Sequence, residues 1–186
     1  MVLIEAAIVA SVALTLALGA NALSPRGLRL DRDYFPNAES PRVIAAGKDA
    51  TTAVARRLEQ RGLHVATLDD VSEWFRNARS GAALVVFVDA RSEAPYASGH
   101  IPGALPFDHY HPEQSLPAVL PVCLTAQKVV VYCAAGACED SEFAAMTLRD
   151  AGVPAEKIFV FAGGITEWTA HQLLLETGAR DSGALR

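Results

Sequence analysis

Residues 129–143 read VVVYCAAGACEDSEF. A run of apolar, largely β-branched residues stops at Cys133. Small residues follow, and a second thiol, Cys138, stands five positions later, directly ahead of Glu139, Asp140 and Ser141. A strand that ends in cysteine and leads through small residues into a helix suits anion chemistry. The first N–H groups of a helix have no internal partner, and the helix dipole adds positive potential there. Ala134, Ala135, Gly136 and Ala137 keep bulky side chains out of the loop, so that N–H groups from Ala134 to Glu139 can curl inward as a nest around an anion. A thiolate or persulfide on Cys133 would be stabilised there without a metal or a histidine. The competing reading of the same residues is a buried structural cysteine at a strand end.

The elements around this loop follow from hydrophobic periodicity. VIAA (43–46) and HVATL (64–68) read as short strands, and ALVVFVDA (83–90), KVVVYC (128–133) and KIFVFA (157–162) as buried ones. Between them, Asp49–Arg61 has helical spacing closed by Gly62. Asp69 or Asp70 can cap a helix through Trp74 and Phe75 that Gly81 closes. Pro117 and Pro121 are expected to limit SLPAVLPVCL (115–124) to short helical pieces. Ser141–Gly152 reads as a helix with Phe143, Met146 and Leu148 toward a core and with Asp140 or Ser141 as its cap. Ile165–Thr177 reads as the last helix. Apolar strands alternating with helices imply an α/β domain with a mostly parallel central sheet flanked by helices. In such a sheet ligands sit at the carboxyl ends of the strands, where Cys133 stands.

Composition narrows the partners. The chain has 186 residues, 51% hydrophobic and 20% charged, with net charge −5, which argues against a nucleic-acid partner. Its three cysteines, Cys123, Cys133 and Cys138, form neither a disulfide scaffold nor a zinc motif, and Cys123 in its apolar stretch reads as buried and inert. His109 and His111 flank Tyr110 and could share one side of an extended segment, but no metal or cofactor is expected.

The N-terminus differs in kind. Ala6–Leu23 carries no charge, and its 18 residues would span ~27 Å as a helix. Residues 1–23 are expected to be one transmembrane helix. A cleaved signal peptide would use the Ala20-Asn21-Ala22 pattern but lacks a basic n-region, and a core helix would show a polar face. Residues 24–42, with Pro25, Pro36 and Pro41, read as a linker, and 43–186 as the folded domain. Arg26, Arg29 and Arg32 after the apolar run favour a membrane-anchored, single-pass protein with its domain in the cytoplasm.

Three segments together resemble the rhodanese family. VFVDARSEAPYASGHIPGALPF (86–107) is similar to the family's aspartate-arginine strand end and Gly-His-Ile-Pro-Gly-Ala motif. VVVYCAAGAC (129–138) resembles its active-site strand and loop, and VFAGGITEW (160–168) its closing Gly-Gly-x-x-x-Trp motif. The resemblance covers 65–178. It implies a single α/β rhodanese-like domain in which Cys133 is the nucleophile, carrying sulfane sulfur as a persulfide cradled by Ala134, Ala135, Gly136, Ala137, Cys138 and Glu139. It implies supporting roles for Asp89, Arg91 and His100, and core packing for Trp168.

Two departures refine the expectation. Related dual-specificity phosphatases carry Arg six positions after the cysteine, where this chain has Glu139, and no Lys or Arg occurs between Cys133 and Arg149. At an effective dielectric of ~20, a carboxylate ~6 Å from a dianion costs several kcal/mol. The expected partners are therefore a small-molecule or protein persulfide donor, rather than thiosulfate, and a thiol acceptor. Cys138 is the second departure. It could resolve a persulfide on Cys133 and leave a Cys133–Cys138 disulfide, which would make the chain a redox-responsive or catalytically weak binding module instead.

Overall fold

The structure is a computed structural model that describes residues 2–23, 48–135 and 139–186. The chain divides into two units, residues 1–40 and 41–186. In the first, helix α1 runs Val2–Leu23 with Glu5 in its first turn, and Ile4, Ile8, Val12 and Leu16 are exposed. The expected membrane-spanning role is not supported: among the described residues, no helix is long and apolar enough to cross a membrane. The uncharged run falls short of a ~30 Å hydrocarbon core, and the turn that lengthens the helix brings in Glu5. The linker 24–42 and the strand expected at 43–46 lie outside the described residues.

The second unit is built on a five-stranded, all-parallel sheet of order β1-β5-β4-β2-β3. The strands are β1 His64–Ala66, β2 Val85–Asp89, β3 Leu105–Pro106, β4 Lys128–Tyr132 and β5 Ile158–Phe161. The helices are α2 Lys48–Gln60, α3 Leu68–Arg79, α4 Glu93–Ser98, α5 Pro112–Thr125, α6 Asp140–Asp150 and α7 Gly164–Ala170. Strand alternation sorts the core into two layers. Val129 and Val131 of β4 pack with Leu58 of α2, Val119 and Cys123 of α5, and Ala144, Ala145 and Leu148 of α6. Val130 and Tyr132 pack on the other face with Val71 and Phe75 of α3 and Ile165 and Trp168 of α7.

Four local expectations change. Helix α3 is capped by Thr67, not by an aspartate. Its hydroxyl accepts from the Asp70 amide at 3.3 Å while the Asp70 carboxylate accepts from the Thr67 amide at 3.0 Å, a reciprocal capping box. Helix α5 is continuous across Pro117 and Pro121. The two prolines stand four apart on the exposed face, where water can satisfy the carbonyls they leave unbonded, while Val119 and Cys123 hold the inner face. Phe143 is 39% exposed, so the inner face of α6 is Ala144, Ala145 and Leu148.

The last helix stops at Ala170 instead of running to Thr177. Trp168, fully buried, donates its indole N–H to the Leu174 carbonyl at 2.9 Å and draws the chain back. The tail then forms a bridge between Glu176 and His100 and a second between Glu176 and Leu185. The buried Glu176 carboxylate accepts from the amides of Gly103 at 2.9 Å and Gly183 at 3.2 Å, and lies 3.2 Å from His100 Nε2. Burial alone would raise its pKa, but the amides of Gly103, Gly183 and Asp181 and the His100 ring outweigh that and bring it down to about 2. A carboxyl depressed in the folded state contributes stability that is full above its ordinary 4.5 and is lost as pH falls toward 2. Glu176→Gln is expected to lower unfolding free energy by on the order of 2 kcal/mol at neutral pH. In urea titrations across pH, the gap between variant and parent should close between 4.5 and about 2. A gap independent of pH would contradict this account.

Candidate active site

Strand β4 is the middle strand of the sheet, and Cys133 follows it at the carboxyl edge. The residue alternates with Val129 and Val131, so its side chain belongs to the α6 face and is 2% exposed. The buried Ser141, in the first turn of α6, donates its hydroxyl to Cys133 Sγ at 3.4 Å. Ser141 and Asp140 therefore do not cap the helix. The N-cap is Glu139, in a helical conformation and without a side-chain capping bond. A hydroxyl donating to sulfur favours an anion on that sulfur, as does the helix N-terminus.

The backbone behind Cys133 is held from the opposite side. Its carbonyl accepts from the Ile165 amide at 2.9 Å, and the Ala134 carbonyl accepts from the Thr166 amide at 3.1 Å. This brings Gly164, at φ +57°, so close that a Cβ would crowd the Cys133 carbonyl oxygen and lie 2.7 Å from that of Ala134. Gly164→Ala thus combines left-handed strain with a backbone clash. It is expected to cost roughly 2–3 kcal/mol in urea unfolding. A cost below about 0.5 kcal/mol would show that the contact is not tight.

The supporting residues form a buried frame. Asp89, fully buried at the end of β2, accepts from the Arg91 amide at 3.0 Å and binds the Arg91 guanidinium through Nε and Nη2 at 2.9 and 2.6 Å. Arg91 also donates to the Gly99 carbonyl at 2.7 Å. Burial works to lower the Arg91 pKa, but the bond to Asp89 and the charges of Tyr132 and Cys133 hold it above its ordinary value. His100 is fully buried, its Nδ1 3.0 Å from the Tyr96 carbonyl and its ring stacked on Tyr96 at 3.9 Å. His100 thus fastens the glycine-rich turn to the C-terminal tail, away from the thiol.

Residues 71–171 match the family model described as the rhodanese-like domain. The chain belongs to the rhodanese-like family. Among solved structures, the chain is similar to a thiosulfate sulfurtransferase from Pseudomonas aeruginosa at 23% identity, covering 70% of this chain and 23% of that one, with a TM-score of 0.53. It is also similar to the BH2092 protein from Bacillus halodurans at 19% identity, covering 68% and 86%, with a TM-score of 0.50. A yeast protein tyrosine phosphatase of the rhodanese family matches at 19% identity over 59% and 85%, with a TM-score of 0.49. The first two likenesses show a shared fold. No curated protein matches the chain.

The charge environment of this rhodanese-like loop differs from the expectation of a bare acidic stretch. Glu142 is buried, and its carboxylate binds Arg57 through Nε at 2.9 Å and through Nη2, and Arg61 through Nη1 at 2.8 Å. Arg57 Nη1 also lies 3.5 Å from Glu139. The Glu142 hydrogen bond leads the causes that raise the Arg57 pKa, against burial. The basic residues absent from the loop's own sequence thus arrive from α2 and the residue just past its end, as partners of the acidic side chains that follow the loop. Among the expected loop residues, Ala134, Ala135 and Glu139 are described, while Gly136, Ala137 and Cys138 lie outside the described residues. Cys123 is buried in α5, and burial pushes its thiol up to about 12. His109 and His111 face different carboxylates, Asp140 at 3.7 Å and Asp108 at 3.0 Å. Among the described residues no group could hold a metal ion.

The sequence reading did not find Ser141 as a thiol partner, nor the roles of Glu142, Arg57, Arg61 and Glu176. The only signal was the spacing of Arg57 and Arg61, four apart on one helical face. Glu142→Ala removes the shared partner of two arginines. It should lower stability by about 2 kcal/mol, less than a fully buried pair, because both guanidiniums retain access to water. Thermal unfolding of Glu142→Ala beside Arg57→Ala and the double variant checks this, and additive single effects would deny the coupling.

Proposed function

We propose that this rhodanese-like domain is a sulfurtransferase that carries sulfane sulfur as a persulfide on Cys133. The observation that carries the reading is Cys133 at the carboxyl edge of the central strand, with the Ser141 hydroxyl on its sulfur at the start of α6. The Cys133 thiolate attacks the outer sulfur of a donor, the new Sγ–S bond forms, and the donor leaves as a thiolate. Persulfide-type donors suit the site better than thiosulfate. The arginines described near the loop are already engaged, Arg57 and Arg61 with Glu142 and Arg91 with Asp89, so none is free to bind a dianion. The same argument opposes a phosphatase, whose phosphate needs an uncommitted arginine clamp.

The exposed apolar side chains of α1 support attachment to a membrane surface. Recovery of the full chain in the soluble fraction of a lysed cell would remove that part of the reading.

Intact-mass measurement after treatment with glutathione persulfide tests the chemistry. The parent chain and Cys138→Ser should each gain one sulfur, and Cys133→Ala none. Thiosulfate at equal concentration should load the chain at least tenfold more slowly. Equal loading of Cys133→Ala would overturn the assignment. Loss in Cys138→Ser with a disulfide in the parent would favour the redox-responsive module.

A further inference from the structure

One carboxylate beside the site stands outside the pairings described above. Glu167 lies in the first turn of α7, and the residues ahead of it back the cysteine loop. The Ile165 amide donates to the Cys133 carbonyl at 2.9 Å, the Thr166 amide to the Ala134 carbonyl at 3.1 Å, and the Glu167 amide to the Gly163 carbonyl at 3.1 Å. The Glu167 side chain does not extend into solvent. It folds back onto Gly163 and is partly buried. Gly163 has φ −69°, which any residue adopts, so its backbone does not call for glycine. Its neighbour does: a Cβ at residue 163 would lie 2.6 Å from Glu167 Cδ and 2.8 Å from Glu167 Cβ. The second of these is fixed by the helix backbone and cannot swing aside. The Gly-Gly turn thus serves two contacts, residue 164 for the Cys133 backbone and residue 163 for the Glu167 side chain.

The backbone between them bounds the distance to the site. A Cβ at Gly164 would lie 2.9 Å from the carbonyl carbon of Ala134, the residue after the nucleophile. Adjacent Cα atoms are ~3.8 Å apart, so the Glu167 carboxyl carbon stands at most about 12 Å from the Ala134 peptide. That is too far for contact or proton transfer, but within the range of a charge acting across a partly buried edge at low ionic strength. No base balances it. Glu142 is held by Arg57 and Arg61, Glu139 lies by Arg57, Asp89 holds Arg91, and Asp140 faces His109. Among the described residues, the Glu167 carboxylate has neither an ion pair nor a hydrogen bond. The α7 amides nearest to it are spent on the carbonyls of Cys133, Ala134 and Gly163.

We propose that Glu167 sets the charge specificity of sulfur loading, slowing donors in proportion to their negative charge; this deepens the persulfide-carrier reading above and rests on it. In the loading step the Cys133 thiolate bonds to the outer sulfur of the donor. The bond from that sulfur to the rest of the donor breaks, and its electron pair leaves with the donor. One neutral sulfur atom changes hands, with no other oxidant or reductant. A fixed negative charge opposes the approach of a dianion twice as strongly as that of a monoanion of similar shape.

Three donors that share a sulfonyl-bound outer sulfur isolate the charge: thiotaurine, a zwitterion without net charge, methanethiosulfonate, a monoanion, and thiosulfate, a dianion. Loading of the full chain at pH 7 and low salt, below saturation and followed by intact mass, gives a second-order rate for each. Glu167→Gln should speed loading from thiosulfate about fivefold and from methanethiosulfonate about twofold, and leave thiotaurine within about 1.5-fold of the parent. Glu167→Lys, which changes the charge by two, should square these factors, and about 0.5 M KCl should shrink them toward unity. An equal change for all three donors would mean that Glu167 only packs the turn, and no change for any would mean that its charge does not reach the site; either overturns the proposal. Glu167→Lys stands as the independent variant if Glu167→Gln fails to fold. A parent chain that takes up no sulfur from any donor would instead remove the persulfide reading beneath it.

Discussion

The carbonyl oxygens of Cys133 and Ala134 accept hydrogen bonds from the amides of Ile165 and Thr166, and that contact tolerates no side chain at residue 164. The rest of the site depends on this junction. It fixes the chain just past β4 against the start of α7, so the strand cannot slide and the loop must leave toward α6. The thiol is then caught from the other face by Ser141. A side chain held through its backbone on one side and through its sulfur on the other has little conformational freedom left.

Electrostatics reinforce the same frame. The acids of β2 and α6 near the sheet edge have assigned partners: Asp89 holds Arg91, Glu142 holds Arg57 and Arg61, and Asp140 faces His109. Breaking any of these would strand a buried or half-buried charge, at a cost of several kcal/mol when no water can reach it. The cations near the loop are thus balanced by carboxylates of the same chain. The Glu142 ties dock α2, from the start of the domain, onto the helix that carries Ser141, and so couple the thiol's environment to residues some eighty positions away.

Patterns that repeat locally were legible in the sequence. β4 and its terminal cysteine appear in a run of β-branched residues, and the Gly-Gly turn appears in GGITEW because only glycine fits there. Features that depend on distant neighbours were not. Nothing in DSEF tells that Ser141 turns to sulfur while Phe143 turns outward to stack with His109. The prolines of α5 suggested interruption because the sequence does not say that both face water. Glu176 reads as one more polar residue in a helix until Trp168 pulls the tail back under the glycine-rich turn. His109 looked like half of a histidine pair, since spacing alone could not reveal that His111 is committed to Asp108.

The acidic tail of the loop finds its explanation in helical geometry. Asp140, Ser141 and Glu142 are consecutive in the first turn of α6, and successive residues of an α-helix point about 100° apart. Asp140 faces His109, Ser141 faces Cys133, and Glu142 faces Arg57 and Arg61. One turn therefore addresses three groups from three separate parts of the chain. No single residue could be moved without rotating the other two off their partners. A one-residue insertion ahead of Asp140 that left the helix frame unchanged would displace all three contacts together.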